Sequence, residues 1–352
     1  MSAVSKIIKT GICSYGMSGK LFQAPFVDAH PGFELTAIVE RSKDESRKRY
    51  PHSKLYRSVD ELLADADIEL VIVNTPVQTH YDLTKQALLA GKHVIVEKPF
   101  TITVAEAEEL TKLAKDKGLQ LVVYQNRRYD GDFRAVKKVI EGKLLGELQE
   151  MEIHYDRYRS EPSGKAHKEG TLPAAGTFYD LGAHMIDQSL QLFGWPKALF
   201  ADIDIMRKGF DAPDYFELLL FYENKLRVRI KSSMLTRELL PSYMLNGTKG
   251  SFYQQRSDQQ EEQLLAGTVP SVEPWAPATA EPDGLLHTEI DGAVVRKKIT
   301  SVPGNYMGYF DDVYKALTGK GPNPVPGEDG IKIMKIIELA LQSNKEKKVL
   351  SI

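Results

Sequence analysis

Residues 1–125 alternate short apolar runs with stretches of helical periodicity, and this alternation constrains the fold more than any other feature. The apolar runs are rich in Val and Ile and almost free of internal charge, as the buried strands of parallel sheets are. Helical stretches between successive strands favour parallel connections with helices on both faces of the sheet. The sequence therefore predicts a doubly wound α/β domain. Its predicted strands are residues 6–13, 33–39, 69–74, 93–96 and 121–124.

Two helix starts in this region carry capping signals. Ser58 is followed three residues later by Glu61, and Thr103 by Glu106, which is the spacing of a capping box. Gly118 follows the second helical pattern and is the expected residue after the helix end, where glycine readily adopts a left-handed conformation. These signals predict helices that begin near residues 59 and 104.

Beyond residue 125 the pattern changes to apolar residues that alternate with polar ones, as in strands with one buried face. Turn sequences such as Asn246-Gly247 and Asp291-Gly292 favour antiparallel hairpins. Residues 271–283 are rich in Pro, Ala and Glu and are predicted to form a long loop, whereas a helical stripe covers 328–343. We therefore predict that residues 126–352 form an α+β domain with a mostly antiparallel open sheet.

The composition excludes several classes of function. The chain has 352 residues and a formal net charge of −2, so it has no excess of positive charge for nucleic acids. The single cysteine, Cys13, cannot form an internal disulfide and suits a reducing compartment. No apolar run reaches the roughly 20 residues that cross a bilayer, and Ile7-Ile8 is too short for a signal peptide. We expect a cytoplasmic protein without nucleic-acid or membrane partners.

A glycine-rich turn follows the first predicted strand and matches the dinucleotide-binding fingerprint Gly-x-Gly-x-x-Gly. Gly16 and Gly19 occupy its second and third glycine positions, and Ser14 stands at the first. Glycines there allow a tight turn, a close approach of the backbone to a pyrophosphate, and tight packing of the next helix. The sequence therefore predicts a Rossmann domain that binds NAD or NADP. The predicted cofactor-binding residues of this turn are Ser14, Tyr15, Gly16, Met17, Ser18 and Gly19.

The end of the second predicted strand leaves the choice of cofactor open. Glu40 stands where an acid can accept hydrogen bonds from the adenosine ribose hydroxyls, which suits NAD. Arg41, with Ser42 and Lys43, follows directly and suits the 2′-phosphate of NADP. The same residues also fit a solvated loop and helix start. Glu40 and Arg41 are both predicted cofactor-binding residues.

Several separated motifs, spread over nearly the whole chain, resemble one known family. They are Asn74-Thr75-Pro76 with His80, Glu97-Lys98-Pro99, and the stretch from Gly176 to His184. Together they resemble the Gfo/Idh/MocA (glucose–fructose oxidoreductase/inositol dehydrogenase) family. The residues from Asn126 to Asp130 and from Asp180 to Gln188 are similar to the branch that contains the scyllo-inositol dehydrogenases. Ser14 departs from the family fingerprint, which slightly tightens the turn without forbidding the cofactor.

The resemblance implies an NAD(P)-dependent oxidoreductase and further cofactor-binding residues. These are Asn74, Thr75, Pro76, His80, Glu97, Lys98 and Asn126. It also implies that Lys98 lies beside the nicotinamide and the substrate hydroxyl. The expected substrate is a cyclic polyol or sugar, with another carbonyl or diol substrate, or a nucleotide-sensing regulator without activity, as alternatives.

Hydride transfer at a carbinol carbon needs a group that takes or gives the hydroxyl proton. Asp180 and His184 are four residues apart in a helical pattern, so their side chains point the same way. A carboxylate beside an imidazole suits a proton shuttle near neutral pH. We predict His184 as the general acid/base, Lys98 as its electrostatic partner, and Asp180 as the residue that orients the substrate or His184. Whether Lys98 or His184 removes the proton stays open.

Two further residues are predicted to bind substrate, together with the three catalytic ones. Asn126 follows the last predicted strand of the first domain, and Tyr158 lies in a strand that interleaves aromatic and basic residues. Such a strand could equally be an exposed sheet face. No pair of the eight histidines has metal-ligand spacing, so no metal is expected.

The sheet of the second domain is also predicted to form an assembly interface. Residues 215–222 are almost wholly apolar, whereas Arg227 and Arg229 alternate with apolar residues in the neighbouring strand. A strand that is apolar on both faces is expected to be covered on both. We predict a homodimer or tetramer formed through this sheet. Coverage by the loop at 271–283 is the alternative.

Overall fold

The computed structural model describes residues 6–162, 169–273, 275–276 and 283–352. The chain divides into two compact units. The first consists of Met1–Asn126, Gln260–Ala276 and Asn305–Met334, and the second of Arg127–Gln259, Pro277–Gly304 and Lys335–Ile352. Part of the loop predicted at 271–283, namely residues 274 and 277–282, lies outside the described residues.

The first change of unit, after Asn126, lies one residue from the predicted boundary at 125/126, and two later segments also belong to the first unit. Tyr309 donates its hydroxyl to the carbonyl oxygen of Val123 at 3.2 Å. Phe310 stacks on Phe26 with 5.3 Å between the ring centroids. Such long-range aromatic contacts bury a helix against the first sheet, and helical periodicity alone does not say which domain a helix joins.

The first unit is built on a parallel sheet of six strands in the order β3-β2-β1-β4-β5-β6. The order reverses between β1 and β4, which creates the crevice where open α/β sheets bind their ligands. The strands are β1 (Ile8–Ile12), β2 (Phe33–Val39), β3 (Lys54–Tyr56), β4 (Leu70–Val73), β5 (His93–Val96) and β6 (Leu121–Val123). This sheet confirms the α/β prediction.

Helices cover this sheet, and one of them begins in an unusual way. A π-helical turn, Gly19–Gln23, precedes the first α-helix. The α-helices of this unit are α1 (Ala24–Ala29), α2 (Glu45–Arg49), α3 (Val59–Ala64), α4 (His80–Leu89) and α5 (Val104–Asp116). The capping box predicted at Thr103 and Glu106 is confirmed, since each side chain binds the other residue's main-chain NH. Ser58 caps α3 by accepting from the NH of Glu61 at 3.2 Å.

The second unit contains a nine-stranded sheet that is mostly antiparallel, as predicted. Its order is β14-β13-β12-β11-β7-β10-β9-β8-β15, and only the β7–β10 pair is parallel among the described strands. The strands are β7 (Leu148–His154), β8 (Ala198–Asp204), β9 (Tyr215–Phe221), β10 (Arg227–Ser233), β11 (Tyr243–Gly247), β12 (Gly250–Gln254), β13 (Gly284–Ile290), β14 (Ala293–Ile299) and β15 (Leu350–Ser351). In β8, β9 and β10 buried residues alternate strictly with partly exposed ones, so one face of these strands is buried.

The remaining helices complete the two units. They are α6 (Gly131–Glu141), α7 (Ala183–Phe193), α8 (Gln260–Leu265), α9 (Tyr306–Leu317) and α10 (Gly327–Glu346). A second π-helical turn, Phe178–Gly182, leads directly into α7. None of the helices in the described ranges combines the length and the apolar character that a membrane crossing requires.

Candidate functional site

The turn after β1 is packed so tightly that it requires glycine at one position and leaves space at another. A Cβ atom on Gly19 would lie 2.1 Å from the carbonyl oxygen of Ser14, so any side chain there would push the main chain apart. A Cβ atom on Gly16 would meet only the Ser14 hydroxyl, at 3.6 Å. Gly16 is exposed and open on its outer side. This is the arrangement that lets a pyrophosphate approach the backbone.

Asn74, which directly follows β4, fixes this turn from the neighbouring strand. Its Nδ2 donates to the carbonyl oxygen of Ser14 at 2.8 Å. Its Oδ1 is buried and makes no hydrogen bond within the described residues. A buried amide oxygen without a donor is costly unless a ligand or water supplies one. The turn and Asn74 therefore fit a bound dinucleotide.

Glu40, the acid that follows β2, is engaged by the start of α2. Its Oε2 accepts from the main-chain NH of Ser46 at 2.8 Å and from the Ser46 hydroxyl at 2.5 Å. The side chain is only 7% exposed. Arg41, the next residue, is exposed. One carboxylate oxygen of Glu40, the residue predicted to bind the ribose, therefore holds the adjacent helix α2. Arg41 lies exposed beside it.

Glu97 makes hydrogen bonds to the glycine-rich turn, to the π-helical turn that follows it, and to the main chain of Lys98. Its Oε1 accepts from Ser18 Oγ at 2.5 Å and from Gln23 Nε2 at 2.9 Å. Its Oε2 accepts from the main-chain NH of Lys98 at 3.2 Å. Lys98 is half-buried just beyond the carboxyl end of β5, the edge where parallel sheets place ligands. Glu97 therefore orients Lys98 and the fingerprint helix together, in addition to its predicted contact with the cofactor.

His80 is buried, and both of its ring nitrogens face main-chain carbonyls. Nδ1 lies 2.9 Å from the oxygen of Pro99, and Nε2 lies 2.9 Å from the oxygen of Thr75. Burial lowers the pKa of His80, while the two carbonyls act in the opposite direction. The ring nitrogens are therefore taken up by the chain itself. His80 therefore holds the turn after Lys98, and its predicted contact with the cofactor stays a prediction.

The other predicted cofactor residues lie around the same crevice of the first unit. Tyr15 is buried with its ring edge-on to Tyr50, whereas Met17 is exposed. The Thr75 hydroxyl lies 2.7 Å from that of Thr79, and Pro76 is exposed. Asn126 is buried at the start of a 3₁₀ turn, Asn126–Tyr129. None of these observed contacts excludes a bound cofactor. The contacts predicted between these residues and the cofactor stay predictions.

In the second unit, Asp180 and His184 lie on one continuous helical run whose winding changes between them. Asp180 belongs to the π-helical turn Phe178–Gly182, and His184 belongs to the first turn of α7. The sequence predicted a plain α-helix with a four-residue spacing. Single π-helical turns are rare and occur often at functional sites, where they widen the helix and re-aim its side chains. His184 is 3% exposed, and Asp180 is partly exposed.

Tyr158, the other predicted substrate residue of this unit, lies in the segment after β7. It is 42% exposed, and its hydroxyl accepts from the Arg237 guanidinium at 2.9 Å. The same guanidinium lies 3.9 Å from the centre of the Tyr158 ring. An exposed tyrosine held by an arginine can present a hydroxyl and a positive charge together.

A cluster of buried carboxylates lies at the start of α6, and the sequence analysis did not identify it. Asp130 and Asp132 are fully buried and share Arg256, whose nitrogens lie 2.7 and 3.0 Å from them. Asp258 accepts from the main-chain NH of Gly131 at 2.7 Å. Burial, together with the nearby charges of Asp130 and Asp132, raises the pKa of Asp258 to about 7. No group of three or more His, Cys, Asp or Glu side chains in the described ranges is arranged to hold a metal ion.

Comparison with known proteins identifies both parts of the chain. The oxidoreductase family model described as an NAD-binding Rossmann fold (Gfo/Idh/MocA) matches residues 8–125, and the model of that family's C-terminal α/β domain matches residues 137–352. The chain is 38% identical to scyllo-inositol 2-dehydrogenase (NADP(+)) IolW of Bacillus subtilis (strain 168), over 97% of this chain and 95% of IolW.

Solved structures are similar over the same length. A crystal structure from Bacteroides fragilis superposes with a TM-score of 0.90 at 44% identity and covers 99% of this chain and 100% of its own. A crystal structure of an oxidoreductase from Bacillus cereus superposes with a TM-score of 0.89 at 32% identity, with 98% of each chain covered. The similarity therefore extends over both units.

Proposed function

Because the chain belongs to the Gfo/Idh/MocA family of oxidoreductases, we propose that it transfers hydride between NAD(P) and the carbinol or carbonyl carbon of a cyclic polyol or sugar. One observation carries the substrate class: the chain is 38% identical, over 97% of its length, to a protein named scyllo-inositol 2-dehydrogenase. The retained Lys98, Asp180 and His184 support an enzyme over a regulator that only senses nucleotides.

The proposed mechanism divides the work between the cofactor and the chain. When bound, the nicotinamide accepts or supplies the hydride. The chain moves the accompanying proton, and we assign this step to His184 because an imidazole can both take and give a proton near neutral pH. Lys98 donates a hydrogen bond to the reacting oxygen, and Asp180 orients the substrate or His184. Asn126 and Tyr158 bind substrate hydroxyls in this proposal.

For the cofactor we favour NADP. Glu40 has one carboxylate oxygen committed to Ser46, while Arg41 is exposed beside it. A guanidinium can bind a 2′-phosphate through two parallel hydrogen bonds. The similar protein IolW is named for NADP(+). These observations favour NADP over NAD.

The half-exposed face of the second sheet supports the proposed assembly as a homodimer or tetramer. In β9 the residues opposite the buried face are partly exposed, and most of them are apolar or aromatic: Tyr215, Glu217, Leu219 and Phe221. A second copy of the same sheet would cover them. Size-exclusion chromatography with light scattering tests this, and a species of 39.5 kDa at micromolar concentration would refute it.

The experiment that tests the function is a substrate screen. Inositol stereoisomers and aldoses are offered with NADP and with NAD, and the absorbance of the reduced nicotinamide is followed. We expect turnover with at least one inositol, with a higher kcat/KM for NADP. The same screen on Tyr158→Phe should raise the KM for that inositol and leave the Kd of NADPH unchanged. Turnover confined to substrates without a polyol ring would contradict the proposed substrate class.

A further inference from the structure

Helix α7 carries two buried polar residues on the side of His184. Asp187 and Gln188 follow His184 by three and four positions, so the three side chains lie on one face of the helix. Asp187 is 2% exposed, and Gln188 is fully buried. Buried polar groups of this kind are destabilising unless each has a hydrogen-bonding partner. The partners of Asp187 and Gln188 therefore determine the position and orientation of α7.

Arg128 binds Asp187 with both prongs of its guanidinium. Its Nε donates to Asp187 Oδ2 at 2.9 Å, and a terminal nitrogen donates to Oδ1 at 2.6 Å. The two side chains are only 11% and 3% exposed. A bidentate pair fixes the orientation of both planes, which a single point charge does not do. The contact therefore resists rotation of α7 about its own axis.

Gln188 ties the next position of α7 to the sheet. Its Oε1 accepts from the hydroxyls of Tyr155, at 3.3 Å, and Tyr243, at 3.1 Å. Its Nε2 donates to the carbonyl oxygen of Arg127 at 3.3 Å. Tyr243 lies in β11, and Tyr155 directly follows β7, the strand paired with β11. These bonds hold the helix at a set distance from two adjacent strands.

We propose that Arg128 and Asp187 are positioning residues for His184, with Gln188 as their second support. The proposal rests on the proposed function, in which His184 moves the substrate proton. Proton transfer needs donor and acceptor within about 2.6–3.2 Å of each other, and a misplacement of about 1 Å can cost about 100-fold in rate. A buried ion pair adds little net stability. Its value here is the angle at which it holds the first turn of α7.

The variant Arg128→Lys keeps the positive charge but loses the bidentate hydrogen bonding to Asp187. We expect kcat to fall about 10-fold or more, with the substrate KM and the Kd of NADPH within about 3-fold of the parent values. Arg207→Lys is the matched control, because Arg207 and Asp214 form an equally buried pair at 2.6 Å in the same unit and neither residue lies on α7. The control should lose similar thermal stability but keep kcat within about 2-fold. An equal loss of kcat in both variants overturns the proposal.

A double-mutant cycle separates positioning from general structural damage. In a His184→Ala background, Arg128→Lys should lower the residual kcat by less than about 2-fold, because the group it positions is gone. The same 10-fold loss in both backgrounds overturns the proposal while leaving the proposed function intact. A His184→Ala enzyme with the parent kcat instead contradicts the proposed function. If Arg128→Lys does not fold, Gln188→Met carries the same cycle with an expected loss of about 5-fold.

Discussion

The glycine-rich turn of the first unit and helix α7 of the second are held in place by different kinds of contact. The turn is organised around one main-chain atom, the carbonyl oxygen of Ser14, against which Gly19 packs and to which the Asn74 side chain donates. Helix α7 is held by side chains, through the pair Arg128–Asp187. A side chain at Gly19 should therefore reduce folding stability and cofactor binding together. Changing a side chain beside α7 should disturb turnover and leave the cofactor bound.

The largest effect is expected at Gly19. Gly19→Ala places a Cβ atom 2.1 Å from the Ser14 carbonyl oxygen, so the main chain must move, and overpacking of this kind destabilises by about 1–3 kcal/mol. We expect a lower melting temperature and no measurable NADPH binding by fluorescence titration.

Gly16→Ala is the matched control for the turn, because its Cβ atom has space in the free protein. It should keep the melting temperature within about 2 °C and still weaken NADPH binding about 10-fold, since the new methyl group occupies the side on which the pyrophosphate approaches. If both variants changed the melting temperature and NADPH binding equally, Gly19 would not differ from Gly16 in serving the packing of the turn.

A smaller effect is expected at Arg41, whose loss should change the choice of cofactor. Arg41→Ala removes one charge-assisted contact to a 2′-phosphate, so the ratio of kcat/KM for NADPH over NADH should fall about 10-fold. Lys48→Ala, which removes an exposed positive charge from α2, is the control for net charge and should leave the ratio within about 2-fold. An unchanged ratio in Arg41→Ala would mean that other residues recognise the phosphate.

The smallest effect concerns the buried carboxylates of the second unit. The pKa of Asp258 is raised from its ordinary value of 3.8 to about 7, first by burial and then by Asp130 and Asp132. The pKa of Asp258 is higher in the folded state than in the unfolded state, so ionised Asp258 destabilises the fold. The loss of folding stability grows as the pH rises from about 4 to 7.

Asp258→Asn should therefore raise the melting temperature at pH 8 by a few degrees and change it little at pH 4. Burial raises the pKa of Asp283, but its several hydrogen bonds together outweigh burial and lower it, so Asp283→Asn should lower the melting temperature at pH 8. A pH-independent gain in Asp258→Asn would show that this carboxylate is not the titrating group.

Local sequence signals were enough to predict the first unit in outline. The capping box at Thr103 is confirmed because its two hydrogen bonds involve residues three positions apart. The strands that the periodicity indicated are buried members of the parallel sheet. The short edge strand β3 (Lys54–Tyr56) was missed, because three residues are too few for a period to be recognised.

Features set by distant partners could not be predicted. The periodicity around Asp180 predicted a helix but not its π-helical turn, since a single turn of five residues is too short for a different period to be recognised. The two hydrogen bonds from Ser46 to one carboxylate oxygen of Glu40 were not predicted, while the contact of Glu40 with the ribose stays a prediction. Arg127 and Arg128 follow the last predicted strand of the first domain, and nothing near them in the sequence identifies their partners. Arg128 does form an ion pair, with Asp187, 59 residues away along the chain.

The most direct test of the central claim measures cofactor binding and turnover on the same His184→Ala protein. NADPH fluorescence titration gives the Kd, and steady-state kinetics with the best inositol from the screen gives kcat. We predict a Kd within about 2-fold of the parent value and a kcat at least about 100-fold lower, the usual scale for losing a proton-transfer group. A parent-like kcat would contradict the assignment of proton transfer to His184.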